Sequence, residues 1–207
     1  LRLASNATVP MYQIGTDGGF LNAPVPIAQL LIAPGERADI LLDFSRLRAG
    51  DRVVVTNNAV TPYPNGPRSL RQGGSPIKEI MQFTVTSKTG FQGPIPQRLR
   101  ATPIPTLTPS KVRNVSIVEV MGMLQPLMGM LNNLHWTTSN IESPTVDTVE
   151  QWNIINTTGD THPIHLHLVQ FLVLGRQQYD VTKYVQSVPQ YVGLPGTMGQ
   201  EIGRAHV

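Results

Sequence analysis

Three of the chain's five histidines fall at His162, His165 and His167. They lie in the run Asp160-Thr161-His162-Pro163-Ile164-His165-Leu166-His167-Leu168-Val169. Imidazole is the commonest transition-metal ligand among side chains. A lone histidine in a strand is more often a packed or surface residue than a ligand, and one His-x-His pair is weak evidence. Three imidazoles in so short a run, followed by the apolar stretch from Leu168 to Leu174, form a metal-binding pattern.

The spacing carries geometry. In a strand, residues two apart share a face, roughly 6.6 Å from one another. His165 and His167 would then look one way, ligating two adjacent ions, or one ion if the strand bends. His162 has the opposite parity. Pro163 interrupts regular pairing there, because it has no N–H and a fixed φ. The spacing predicts two sites, one served by the pair and one by His162. A zinc hydrolase would place a carboxylate ligand or general base close by. Asp160 is the only nearby carboxylate before Asp180. In its Thr-Gly-Asp-Thr setting it reads as an ordinary turn residue.

Composition narrows the chemistry further. The chain has 207 residues, with 40% hydrophobic, only 14% charged, 18 Gly, 18 Pro and a net charge of +3. That is enough chain for one large or two modest domains, and the Gly and Pro content suits many short strands joined by turns. The densest basic stretch, Arg98, Arg100, Lys111 and Arg113, is flanked by prolines and lacks aromatics. It reads as solvated linker and not as a nucleic-acid groove, which needs a basic face with stacking groups. There is no cysteine. That excludes disulfides, zinc–thiolate sites, a cysteine nucleophile and the thiolate of a blue-copper centre within this chain. No stretch has the length of a transmembrane helix.

The elements that must position the histidines read as strands. Asp17-Gly18-Gly19 is a turn signal. Gln29–Ala33 and Ala38–Phe44 read as strands around Pro34-Gly35-Glu36-Arg37, the second with period-two alternation. Val53–Val55 and Ile80–Val85 add two more, and residues 61–76 read as a long loop. The five prolines between Ser87 and Ser110 predict an extended linker. Strands resume at Val115–Val120 and Thr148–Ile155, where the Trp152/Ile154 side is expected to be core. Between them, Met121 to Met130 reads as a hairpin tip with four methionines, a minor candidate for Cu(I) binding. His135 reads as structural or exposed. No amphipathic helix is predicted.

With these residues in view, nearly all of the chain before residue 200 resembles a multicopper oxidase. Tyr12-Gln13-Ile14-Gly15-Thr16-Asp17-Gly18-Gly19-Phe20 and Leu31-Ile32-Ala33-Pro34-Gly35-Glu36-Arg37-Ala38-Asp39 resemble the middle domain of the bacterial enzymes. Leu131-Asn132-Asn133, Trp136, Glu142-Ser143-Pro144-Thr145 and the histidine run resemble the third domain. Leu168, Phe171 and Gln178-Tyr179-Asp180-Val181 are closest to the spore-coat laccase, bilirubin oxidase and phenoxazinone synthase branch.

The resemblance implies an all-β fold of cupredoxin-like Greek-key sandwiches in two partial domains. Residues 1–87 would be the later part of a middle domain, 88–110 a Pro-rich linker and 111–199 the first part of a C-terminal domain. It also implies copper: His162 as a type 1 ligand, His165 as a type 2 ligand and His167 as a type 3 ligand. The implied activity couples one-electron oxidation of phenols, aromatic amines, tetrapyrroles or metal ions to reduction of dioxygen to water. The chain departs from the family in having neither the first-domain His-x-His pairs nor the His-Cys-His segment. It begins at Leu1 and reads as an internal piece that needs the missing N- and C-terminal portions, inactive on its own. A non-catalytic copper-binding cupredoxin module and a copper nitrite reductase-like protein are the alternatives. Localisation stays open, with extracellular, periplasmic or spore-coat settings implied by the family. Residues 200–207 show no strand pattern and resemble a non-native tail, so His206 is set aside as a ligand.

Overall fold

The computed structural model describes residues 1–5, 8–60, 63–64, 77–87, 90–123, 126–138 and 142–188, and the backbone of 200–206. The long loop expected over 61–76 lies almost entirely outside the described residues. The chain divides into two compact units, Leu1–Pro105 and Thr106–Val207. The division falls within the proline-rich stretch, where fixed φ angles and missing N–H groups discourage both helix and central strand.

The first unit holds two three-stranded antiparallel sheets. One is built from β1 (Arg2–Ala4), β5 (Arg52–Thr56) and β6 (Glu79–Thr84), in that order. The other places β2 (Met11–Thr16) between β3 (Gly19–Pro26) and β4 (Ala38–Leu42). The β2–β3 hairpin closes through Asp17-Gly18, with Gly19 at φ +92°, a value that favours glycine. In β4 the alternation holds: Ala38, Ile40 and Leu42 are more buried than Asp39 and Leu41. Val53 and Val55 on β5 and Met11 on β2 form the buried core of this unit. The rings of Phe44, just after β4, and Phe83 on β6 tie the two sheets, with centroids 5.6 Å apart.

Two expectations are corrected here. Gln29–Ala33 forms no strand. Its main-chain bonds run to Leu1, just before β1, from Leu30 N to Leu1 O and from the Leu1 ammonium to Leu30 O. Pro26 and Pro34 on either side remove donors that a longer ladder would need. The later linker residues are also not free. Leu99 N donates to Asn22 O and Ile104 N to Asn22 Oδ1, at 2.9 Å each, which fastens this stretch along β3.

The second unit carries a five-stranded sheet in the order β10 (Leu172–Tyr179), β11 (Gln200–His206), β9 (Glu150–Asn156), β7 (Lys111–Met121), β8 (Pro126–Leu131). β7 and β9 pair in parallel and the other neighbours are antiparallel. Among the described side chains, Val115 and Val118 on β7, Met130 on β8 and Trp152 and Ile155 on β9 are the buried apolar residues of this sheet. Trp152 is core as expected, but its companion is Ile155 and not Ile154.

Three further corrections concern this unit. Only residues 122–125 separate β7 from β8, so most of the methionine stretch is strand and not hairpin tip. Gln200–His206 is a strand, although its sequence lacks alternation. Backbone pairing needs no side-chain pattern, and this segment satisfies the ladders of both β9 and β10. A helix also occurs: α1, Val181–Ser187, whose N-cap Asp180 accepts a hydrogen bond from Lys183 N. An Asp followed by a short helical turn is a start signal that periodicity over seven residues is too short to reveal.

Candidate metal centre

The histidines sit on the connection from β9 to β10, and the sequence builds that connection at its first residues. Thr157, fully buried, donates from both its N–H and its hydroxyl to Ile117 O on β7. Asn156 then closes a turn over its own successors. Its Oδ1 accepts from Thr158 N at 3.0 Å, and its Nδ2 donates to Asp160 O at 2.6 Å. Tyr179, at the far end of β10, donates its hydroxyl to Asn156 O at 2.6 Å. Asn is suited to this place because its side chain mimics a backbone turn.

His162 emerges from this turn with its Nε2 surrounded by oxygen. Thr158 Oγ1 lies at 2.8 Å, Asp160 Oδ1 at 3.1 Å and Glu119 Oε1, from β7, at 3.5 Å. One ligand atom from each of Glu119, Asp160 and His162 fits within a 4.8 Å group. The site is partly enclosed: the side chains of Glu119, His162 and Asp160 are 15%, 26% and 31% exposed. Glu119 is held above the usual carboxylate range, first by burial and then by the negative charge of Asp160, with His162 opposing.

His165 and His167 are placed apart from this group. Both are exposed, and their rings meet edge to face with centroids 4.9 Å apart. They do so without a strand. Thr161–Phe171 has no strand residues, so the expected apolar histidine strand is corrected to a loop. Pro163 supplies no donor for pairing, and Leu168, fully exposed, turns the chain at φ +73°. The division into one histidine and a pair persists, but it comes from a turn network and a loop and not from strand parity.

Of the two carboxylates near His162, the sequence marked Asp160 only as a turn residue and did not mark Glu119 at all. Asp160 is a turn residue through its backbone and also a partner of His162 through its side chain. Glu119 lies on another strand, and nothing in the local sequence pairs it with the histidine run. Of the four methionines between Met121 and Met130, Met130 is buried and Met121, Met123 and Met128 are exposed. His135 hydrogen-bonds locally to Thr137 and joins no cluster among the described residues. A cleft in the first unit, lined by Leu3, Val9, Met11 and Ile27 among others, holds no titratable side chain among the described residues.

The donor chemistry fits copper in part. Imidazoles suit copper, and the oxygen partners of His162 all face its Nε2. A thiolate cannot come from this chain, which has no cysteine.

Known proteins agree with this chemistry. The multicopper oxidase family profile matches residues 106–192. A laccase of Bacillus stratosphericus is 37% identical over 190 residues, covering 89% of this chain and 35% of the relative. A laccase of Bacillus subtilis (strain 168) is 34% identical over 179 residues, covering 84% of this chain and 33% of the relative. The chain thus spans about a third of the length of these curated relatives. Among solved structures, the multicopper oxidase McoA of Aquifex aeolicus superposes with a TM-score of 0.66 at 27% identity, covering all of this chain and 44% of that one. The all-β architecture is accordingly cupredoxin-like, and the chain belongs to the multicopper oxidase family.

Proposed function

We propose that this chain supplies part of the copper-binding apparatus of a laccase-like oxidase. In this reading the first unit is the later part of a middle cupredoxin-like domain, and the second is the first part of a C-terminal one. His162 is a type 1 copper ligand, His165 a type 2 ligand and His167 a type 3 ligand. The observation that carries the reading is the split of three imidazoles into two groups of different character. One is a half-buried ring tied down at Nε2, and the other is a pair of exposed rings in contact.

Copper, when bound, supplies one-electron chemistry that the protein's own side chains lack. The overall reaction takes four electrons from four reducing equivalents and four protons to convert one dioxygen to two waters. Phenols, aromatic amines, tetrapyrroles or metal ions are the proposed reductants. The residues of this chain bind and orient. Thr157 and Asn156 hold the β9–β10 connection against β7 and β10. Thr158, Asp160 and Glu119 hold the His162 ring. The short Pro163-Ile164 spacer carries the chain from His162 to the His165/His167 pair. Because no thiolate is available, the 207-residue chain alone is expected to bind copper without turning over phenol.

The test is a copper titration of the purified chain followed by an oxygen-electrode assay with a methoxyphenol. Copper bound through imidazole nitrogen, with oxygen uptake at background, is the expected result. Absence of copper binding contradicts the ligand assignment. Copper-dependent oxygen uptake by this chain alone contradicts the need for further ligands.

A further inference from the structure

We infer that residues 98–104 are a releasable strap, latched to the edge of β3 by Asn22, whose opening sets how much of the proline-rich connection is free chain. The strap belongs to the first unit, which ends at Pro105. The latch is independent of the histidines and of copper.

β3 is an edge strand, paired on one side with β2. An open edge invites a further strand. Towards its end this edge offers little, because Pro24 and Pro26 have no N–H. Asn22 lies ahead of them, where the pairing with β2 passes from Gly15–Phe20 to Gln13–Val25 and slips register. Such a bulge bends the strand and re-aims its side chains. Asn22 presents two acceptors there, and the strap uses both. Leu99 N donates to its main-chain O and Ile104 N to its Oδ1, each at 2.9 Å. Leu99 and Ile104 are half-buried, whereas Ala101, Thr102 and Pro103 between them are exposed. The strap is thus held at two points, with an exposed arch between.

The arch is braced from within. Pro96, Pro103 and Pro105 remove donors that a strand would need. Arg98 donates from Nε to Arg100 O at 2.7 Å and from Nη2 to Ala101 O. Arg100 donates from Nε to Thr102 O at 3.3 Å and from Nη1 to Phe20 O on β3 at 3.2 Å. Guanidinium groups here serve carbonyls that a sheet would have paired. The bonds to β3 from Leu99, Arg100 and Ile104 stand against the backbone entropy of ordering the strap. Release is therefore a local event that leaves the sheets folded.

The other end of the connection is fixed separately. Ser110 donates from its N–H and its hydroxyl to Val149 O, at 2.8 and 3.0 Å, within the second unit. With the strap docked, the chain between these anchors is residues 105–109. With the strap released, it reaches back past Arg98. A longer flexible connection lowers the effective concentration of one unit at the other.

Hydrogen exchange by NMR and limited trypsin cleavage of the full chain test the latch. In the wild type, the Leu99 and Ile104 amides should exchange more slowly than those of Thr106 and Thr108, and faster than that of the fully buried Val53 on β5. Asn22→Ala removes the side-chain acceptor. Exchange at Ile104 and cleavage after Arg98 and Arg100 should then rise about 2–12-fold, the range one net hydrogen bond supports, with Val53 unchanged. Asn22→Asp keeps an acceptor oxygen and should retain wild-type rates. Leu99 and Ile104 exchanging as fast as Thr106 and Thr108 in the wild type would overturn the strap, and that reading needs no variant. Exchange at Leu99 and Ile104 in step with Val53 would overturn its separate release. Asn22→Ala matching the wild type, or Asn22→Asp opening as far as Asn22→Ala, would overturn Asn22 as the latch.

Discussion

Glu150→Gln probes what holds the second unit together. Glu150 is 3% exposed, on the first residue of β9. Its oxygens accept from Arg113 Nε at 2.5 Å, Arg113 Nη2 at 3.1 Å and Trp152 Nε1 at 2.9 Å. Arg113 sits on β7, so the contacts clamp the parallel β7–β9 pair, and Arg113 pairs in register with Trp152. Glutamine keeps the shape but exchanges one oxygen for an NH2. One of the three acceptor contacts is lost, and Arg113 loses a charged partner. Hydrogen bonds to charged groups are worth about 1.5–3 kcal/mol. Breaking a buried pair outright costs about 3–5 kcal/mol. Arg113 keeps Glu142 Oε2 at 2.8 Å and Ser143 O at 2.9 Å, which softens the loss. We expect a net cost near the lower end, about 2–3 kcal/mol. With a urea slope of about 1–3 kcal/mol per molar, the unfolding midpoint should fall by roughly 1 M. Asp17→Asn is the control, because its pair with Arg37 is exposed on both sides and should leave the midpoint almost unchanged. A Glu150→Gln midpoint equal to that of the control would mean that the Glu150–Arg113 contacts add no net stability to the second unit.

The same carboxylate sets a pH dependence. Hydrogen bonds from Arg113 hold Glu150 below the ordinary glutamate value of 4.5, against the opposing effect of burial. A depressed folded-state value stabilises above the unfolded value, and that contribution is lost as pH falls through the folded one. Stability measured from pH 7 downward should therefore decline below about 4.5, less steeply in Glu150→Gln. Val118→Ala removes two methyl groups from a fully buried position and should cost roughly 2 kcal/mol in a denaturant melt. Asp180→Ala removes the cap that accepts from Lys183 N and should cost about 1 kcal/mol, read by hydrogen exchange at the start of α1. Thr157→Val takes away the hydroxyl bond to Ile117 O and keeps the longer N–H bond, at 3.2 Å. It should unlatch the β9–β10 connection, seen as weaker copper binding with β9 still protected from exchange.

What the sequence disclosed follows from which forces act locally. The period-two pattern of Ala38, Ile40 and Leu42 and the apolar Val53 and Val55 marked strands, because one buried face dictates alternation. The histidines were legible because residue type and spacing alone point to metals. Their backbone was not. Pro163 was noted as an interruption, yet the apolar residues from Leu166 onward suggested a strand that the positive φ of Leu168 breaks. Gln29–Ala33 misled for a related reason: an apolar run looks like a strand whether or not a partner ladder exists. Glu119 could not be found, since its meeting with His162 depends on β7 and the β9–β10 connection coming together across the fold. Asp160 was visible but given one role where it has two. Arg113 was read as linker charge, whereas Glu150 and Glu142 bind it within the second unit.

In the proposed arrangement His162 serves one copper centre and the His165/His167 pair another. Copper stoichiometry and electron paramagnetic resonance of the Cu(II)-loaded chain, compared among wild type, His162→Ala and His165→Ala/His167→Ala, test it directly. Two distinguishable copper populations are expected in the wild type. The first variant should lose one and the double variant the other. A single population abolished by either variant, or copper binding indifferent to both, would contradict it.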